Sequence, residues 1–134
     1  MNYVYLYIIT TVIFFAIDMV WLGFIAKNFY RKHIGSLLTD NVIWSAAIVF
    51  YLLYIGGILF FAVQPALKSG SWLTALLNGA VLGMLCYATY DLTNMATLKN
   101  WSFTVVWVDI IWGIVLTGSV STLSFLAARK FLNF

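Results

Sequence analysis

The chain has 134 residues, of which 64% are hydrophobic and 8% are charged, and its formal net charge is +3. Soluble domains are about 45–50% apolar and about 25% charged, so a soluble fold of this composition would have too few polar residues to cover its surface. The apolar surface therefore has to face lipid, and the length suits one membrane domain over residues 1–134. Seven basic residues in separate segments are too sparse for a nucleic-acid interface, so we expect no nucleic-acid partner. A single cysteine, Cys86, excludes an internal disulfide.

Four segments are apolar enough to cross a bilayer, which takes about 20 mostly apolar residues per helix. They cover about residues 3–26, 42–63, 72–94 and 102–128. The first contains one carboxylate, Asp18, which costs roughly 2.5–3.5 kcal/mol near the centre of a span. About a dozen Leu, Ile, Phe and Val residues in the same segment favour insertion by roughly 0.3–0.6 kcal/mol each. We therefore expect this segment to be a membrane helix and not a cleaved leader.

Three connections separate the spans. Residues 27–41 form the longest predicted connection, which is basic and contains His33, expected to be solvated. Pro65 follows the second span directly and is expected to end that helix, because proline cannot continue the hydrogen-bond ladder; residues 68–71 then form a short hairpin. Residues 97–101 form the third connection. Short connections make successive helices antiparallel neighbours, so the predicted fold is all-α, a polytopic transmembrane four-helix bundle.

The charges in the connections barely distinguish the two sides of the membrane. The first and third connections carry Lys27, Arg31, Lys32 and Lys99, whereas the other side carries Lys68, Arg129 and Lys130. The positive-inside rule places the first and third connections in the cytoplasm by one charge. Small size and nearly balanced charge are typical of dual-topology transporters that work as homodimers, so a homodimer is one expectation.

Three of the four acidic residues, Asp18, Asp91 and Asp109, fall within predicted spans. Ionisable residues in spans are rare, costly and usually functional. Asp18 lies roughly 5 Å and Asp109 roughly 9 Å from the middle of their spans, both displaced toward the first and third connections. Asp91 closes the third span on that same side. Because neighbouring helices are antiparallel, we expect the three carboxylates to form one polar cluster in one leaflet.

Small and polar residues share faces with these carboxylates. The fourth span carries a stripe at spacings of four, four, four and three: Asp109, Gly113, Thr117, Ser121 and Ser124. The third span carries the G-x-x-x-G pair Gly79 and Gly83, and the same line continues through Tyr87 to Asp91. Such stripes pack against protein and allow helices to approach closely.

A short motif occurs twice, as Asp18-x-x-Trp21 and Asp109-x-x-Trp112. A spacing of three places carboxylate and indole on one helical face, and an indole N–H can donate to a carboxylate. Because the first and fourth helices are antiparallel, we interpret the two motifs as an inverted pseudo-repeat. The candidate ligand-binding residues are the carboxylates with the polar and aromatic side chains expected beside them: Asp18, Asp91, Asp109, Asn94, Trp21, Trp112, Tyr87, Tyr90 and Lys99.

The run over residues 87–101, Tyr-Ala-Thr-Tyr-Asp-Leu-Thr-Asn-Met-Ala-Thr-Leu-Lys-Asn-Trp, is unlike generic span sequence. Together with the two Asp-x-x-Trp motifs, it resembles a family of small bacterial four-span membrane proteins known as domain of unknown function 2177. The resemblance covers essentially the whole chain, and Tyr-Asp-Leu-Thr-Asn is its most specific part. It implies a membrane protein and supplies no activity, cofactor or catalytic residue. We expect a multi-pass protein of the bacterial inner membrane.

Three functions are compatible with this pattern. Carboxylates with Asn94 and hydroxyls suit a proton, a hard cation or an organic cation, and predict a protein that binds or transports a proton-linked or cationic solute. Alternatively, a membrane enzyme could act on a lipid or isoprenoid at one leaflet, with Asp18 or Asp109 as general acid or base and Lys99 placing the headgroup. In a structural or accessory subunit, the carboxylates would only hold helices together, and Asp91 could cap a helix end. The expected partners are membrane lipid and a cation or small amphipathic ligand; cofactor, metal and catalytic residues stay unassigned.

Overall fold

A computed structural model of the chain describes residues 2–134 as four long helices with short connections, and it contains no strand in that range. The helices are α1 (Asn2–Leu37), α2 (Trp44–Ser69), α3 (Trp72–Thr97) and α4 (Phe103–Phe131). Each is long and apolar enough to cross a membrane. The predicted all-α, four-helix transmembrane bundle is therefore confirmed.

The fourth helix is the centre of the bundle. It packs along α3 over most of its length, and α1 and α2 also contact it. Its small and polar stripe is buried against the other helices, including Gly113, Thr117 and Ser121. The lipid-facing surface is left to large apolar side chains such as Trp107 and Ile111. The stripe is thus the face on which the bundle assembles.

Glycines bring the backbones of α3 and α4 into contact. A Cβ atom on Gly83 would lie 2.0 Å from the carbonyl oxygen of Gly113, and one on Gly79 would lie 2.4 Å from the hydroxyl of Ser121. Neither position has room for a side chain. The G-x-x-x-G pair of the third span therefore acts as a helix-packing motif.

The first helix continues well beyond its predicted end at about residue 26. It is α-helical over Asn2–Trp21, forms a π turn over Leu22–Ala26, resumes as α-helix over Lys27–Ile34 and closes with a 3₁₀ turn over Gly35–Leu37. The predicted long connection over residues 27–41 is therefore wrong for most of its length. Its basic side chains are exposed whereas Ile34 is buried, so the segment is an amphipathic helix whose charges mark a face and not an end.

The second helix passes through Pro65, contrary to the prediction that the proline ends it. A π turn over Leu59–Val63 precedes the proline, which lies in the first turn of the segment Gln64–Ser69. Proline has no N–H for the carbonyl four residues earlier, which belongs to Phe61. The side-chain amide of Asn78 in α3 donates to that carbonyl oxygen at 3.1 Å. A neighbouring helix thus replaces the missing bond. The helix α2 ends only at Ser69, and Gly70, whose φ of 70° is left-handed, follows it.

Serine hydroxyls begin the last two helices. The Ser71 hydroxyl accepts a hydrogen bond from the Thr74 N–H at 3.4 Å, and the Ser102 hydroxyl accepts one from the Val105 N–H at 3.3 Å. Each satisfies a backbone donor that the first helical turn leaves free. These caps start α3 and α4 immediately after short connections, which keeps the helices adjacent and antiparallel.

Candidate functional site

Two carboxylates meet where α3 ends and α4 begins. Asp91 lies six residues before Thr97, the last residue of α3, and Asp109 lies six residues after Phe103, the first of α4. Both are therefore roughly 9 Å from the helix ends, at the same level of the bundle. Their carboxyl groups are close enough to interact directly, and we call them the carboxylate pair. Asp91 is fully buried and Asp109 is 6% exposed.

In the part of the chain that the structure describes, the carboxylate pair lacks a cationic partner. Within residues 2–134, neither carboxyl oxygen of Asp91 has a hydrogen-bond partner of normal geometry. The indole of Trp101 lies beside it, but the indole N–H is also left without an acceptor. All seven Lys and Arg side chains are exposed. A buried carboxylate without compensation costs several kcal/mol, so the pair requires a proton or a bound cation.

Asp109 does have one donor, which comes from α1. The Tyr30 hydroxyl donates to the Oδ1 atom of Asp109. Tyr30 is twelve residues after Asp18, which in a regular helix at about 100° per residue would turn it about 120° away from Asp18. The π turn at Leu22–Ala26 accommodates one extra residue and reduces this offset to about 20°. The π turn therefore places Tyr30 on the Asp18 face of α1.

Asp18 lies apart from the carboxylate pair, beside the indole of Trp112. The rings of Trp21 and Trp112 stack with centroids 4.4 Å apart and an interplanar angle of 8°. The two Asp-x-x-Trp motifs thus face each other across the contact between α1 and α4. In the range 2–134, no three His, Cys, Asp or Glu side chains approach closely enough to hold a metal ion. The arrangement is a pair with a neighbouring third carboxylate and not a three-carboxylate metal centre.

The remaining predicted site residues occupy different positions around the pair. The ring of Tyr87 lies over Gly113, where a Cβ atom would be 2.4 Å from its Cγ atom, and it lies within electrostatic range of Asp18 and Asp109. Tyr90 is exposed, and its hydroxyl lies near the Asn94 side chain. Lys99 is exposed in the third connection, and within residues 2–134 it forms no ion pair with a carboxylate. The structure therefore divides the predicted set. Tyr87, Tyr90 and Asn94 lie around the carboxylate pair. Asp18, Trp21 and Trp112 lie together in the neighbouring contact between α1 and α4, and Lys99 belongs to neither group.

The burial of Asp91 excludes one of the structural interpretations. A helix-end cap bonds the free backbone groups of the last turn. Asp91 lies six residues before the end of α3, is fully buried and bonds no backbone group among the described residues. Asp91 is therefore part of the carboxylate pair and not a cap.

Comparison with known families supports the membrane assignment. A family model described as "Predicted membrane protein (DUF2177)" matches residues 3–126. The chain belongs to the DUF2177 family. The resemblance seen in the sequence is confirmed, and with four apolar helices the DUF2177 chain is a multi-pass membrane protein. No curated protein and no solved structure matches it.

The structure of this DUF2177 protein adds residues that the sequence did not single out. Tyr30 was missed because it falls in the segment predicted as a connection. The absence of Gly and Pro between residues 24 and 34 is the signal that the helix could continue. In α2, Tyr51 lies near Asp18, and the Tyr54 hydroxyl is 2.6 Å from the hydroxyl of Thr117. The second span has no charged residue, so only the spacing of its tyrosines, three apart, could have indicated an inward aromatic face.

Proposed function

We propose that this DUF2177 protein exchanges a proton for a monovalent organic cation at the carboxylate pair, and that it uses this exchange to move a cationic solute across the bacterial inner membrane. The observation that carries the proposal is the fully buried Asp91 carboxyl group, which has no hydrogen-bond partner within residues 2–134 and lies against a second carboxyl group. A site of this kind is occupied by a positively charged species in every stable state.

The charge balance favours exchange over simple binding. Two adjacent carboxylates retain one proton between them, because like charges in contact cannot both ionise without compensation. The protonated pair carries one negative charge, and the same pair holding a monovalent cation without the proton also carries one. Exchange therefore leaves the net charge buried in the bilayer unchanged, which avoids the cost of a new unpaired charge.

Between residues 2 and 134, no positively charged side chain lies around the pair to compete with a bound cation. Among the described residues, those that interact with the pair or with Asp18 are Tyr30 from α1, Tyr51 from α2, and Tyr87 and Tyr90 from α3. Tyr54 and Cys86 lie beside Tyr87. Aromatic rings of this kind also attract cations through their faces. The surroundings thus suit an organic cation better than a small, strongly hydrated metal ion.

Proton release on cation binding tests the proposal directly. Purified protein in nanodiscs, in a weakly buffered solution with a pH indicator, is titrated with methylammonium. We expect release of up to about one proton per chain, because one cation displaces one shared proton. Cation affinity should rise with pH, by as much as about tenfold per unit, because the proton is the competitor.

The matched controls are isosteric amides. Asp109→Asn and Asp91→Asn remove half of the pair and should abolish proton release, whereas Asp40→Asn, in the exposed first connection, should leave it unchanged. Thermal unfolding of each variant shows whether it is folded. Proton release equal to wild type in a folded Asp109→Asn protein contradicts the proposal and leaves the structural role of the carboxylates as the explanation.

A further inference from the structure

A cavity of about 310 Å³ lies between α2 and α3 and is lined by Phe50, Cys86, Tyr87 and Tyr90. Its volume is at the lower end of the range for small-molecule sites, which runs from about 300 to 1,000 Å³. Its walls are aromatic rings and one thiol. Such a lining offers little to a polar ligand and suits a hydrocarbon chain or ring.

The cavity opens toward lipid. Phe50 is 49% exposed and Tyr90 is 56% exposed, and both lie on helices long and apolar enough to span the membrane. In a membrane, the exposed parts of these side chains face acyl chains. A ligand can therefore enter the cavity sideways from the bilayer, with no aqueous path.

The cavity lies one helical turn from the carboxylate pair. Tyr87 and Asp91 are four residues apart on one face of α3, which separates their positions along the helix by roughly 6 Å. Tyr87 lines the cavity and lies within electrostatic range of Asp109, and Tyr90 lies within range of both Asp91 and Asp109. The apolar cavity and the carboxylate pair are therefore adjacent sites, with Tyr87 and Tyr90 between them.

Packing against α4 fixes the side chain of Tyr87, which lies between the cavity and the carboxylate pair. The Tyr87 ring lies against Gly113, which has no side chain to displace it, and Gly113 is on the same face of α4 as Asp109. The position of the ring is thus fixed relative to the carboxylate that it faces. The contact between α3 and α4 therefore sets the distance between the cavity and the carboxylate pair.

We propose that the ligand is an amphipathic primary ammonium ion, whose head binds the carboxylate pair and whose short alkyl tail lies in the Phe50–Cys86–Tyr87–Tyr90 cavity. This inference rests on the proposed function and names its substrate class. A primary ammonium has three N–H donors, which match the Asp91 oxygens that have no donor in the described range. Its positive charge complements a site from which all lysines and arginines are absent because they are exposed. Its tail explains why the charged site lies next to an apolar cavity open to lipid.

Cys86, the only cysteine in the chain, reports directly on the cavity. Protein in nanodiscs is alkylated with a membrane-permeant maleimide in the presence of octylammonium, methylammonium or octyl sulfate. Octylammonium at ten times its dissociation constant should slow alkylation about tenfold, because only the unoccupied fraction reacts. Methylammonium, which has no tail, and octyl sulfate, which has the wrong charge, should leave the rate unchanged. Asp109→Asn should remove the protection by octylammonium.

A second variant provides a measurement that does not depend on thiol reactivity. Cys86→Trp fills the cavity and should lower the ratio of octylammonium to methylammonium affinity at least about tenfold, measured by proton release. Equal protection by octyl sulfate, or an unchanged affinity ratio in Cys86→Trp, overturns the amphipathic ligand. If methylammonium still releases a proton in that case, the proposed function stands and only the tail site is lost. If no cation releases a proton, the proposed function fails as well.

Discussion

Replacing Gly83 by alanine puts a methyl group into the backbone of α4. The added Cβ would lie 2.0 Å from the Gly113 carbonyl oxygen and 2.7 Å from its carbonyl carbon, where ordinary contact begins at 3.4 Å. Backbone atoms cannot rotate aside, so α3 and α4 must separate by more than about 1 Å at this level, which loosens packing along the contact. Overpacking of this kind costs about 1–3 kcal/mol, and we expect the upper half of that range because the obstruction is a backbone.

Gly57→Ala is the matched control, because a Cβ at Gly57 meets no atom within 4 Å. Thermal unfolding in detergent, followed by the exposure of Cys86 to a thiol-reactive fluorophore, measures both variants. Gly83→Ala should lower Tm by at least about 5 °C relative to Gly57→Ala, since about 2 kcal/mol is lost. Equal Tm values for the two alanine variants would refute the close approach of α3 and α4.

Two further changes test contacts between other helices. Asn78→Ala removes the donor to the Phe61 carbonyl and should lower the free energy of unfolding by about 1 kcal/mol. In a Pro65→Ala background this loss should be smaller, because the restored backbone N–H can bond that carbonyl. A double-mutant cycle of unfolding free energies measures the difference. Tyr54→Phe leaves the Thr117 hydroxyl without its partner and should lower the free energy of unfolding by about 1 kcal/mol. If the 2.6 Å hydrogen bond is the cause, this loss should not add to the loss in Thr117→Val. Additive losses in steric-trapping measurements would show that the contact contributes nothing to stability.

The number and order of the helices follow from composition and hydropathy, because a bilayer accepts only backbones whose polar groups are bonded internally. The contact between α3 and α4 was also predictable, since Gly79, Gly83 and the stripe around Thr117 leave no bulky side chain between two helices joined by a short connection. The common level of Asp91 and Asp109 follows from the same antiparallel geometry. These features depend on periodicity and length, which a single sequence displays.

The path of the helices around their irregular turns was not predictable in the same way. The charges after residue 26 indicated a connection, but a helix at the membrane surface can place charges on one face and continue. Pro65 indicated a helix end, but the compensating amide of Asn78 lies thirteen residues later in another helix. The position of Tyr30 beside Asp109 requires that α1 continues past residue 26 and that a π turn rotates the later part of this helix. Such features depend on tertiary partners that local sequence does not reveal.

The long sequence separation within the site has a consequence for synthesis. Tyr30 and Asp109 are 79 residues apart, so at roughly 5–20 residues per second the partner of Tyr30 leaves the ribosome roughly 4–16 s later. During that interval α1 stands in the bilayer with the Asp18 carboxyl group and without Trp112. Until α4 has been inserted, only the apolar side chains of α1 stabilise α1 in the bilayer. The polar face of α1 is meanwhile exposed and can contact an insertion factor or a neighbouring chain.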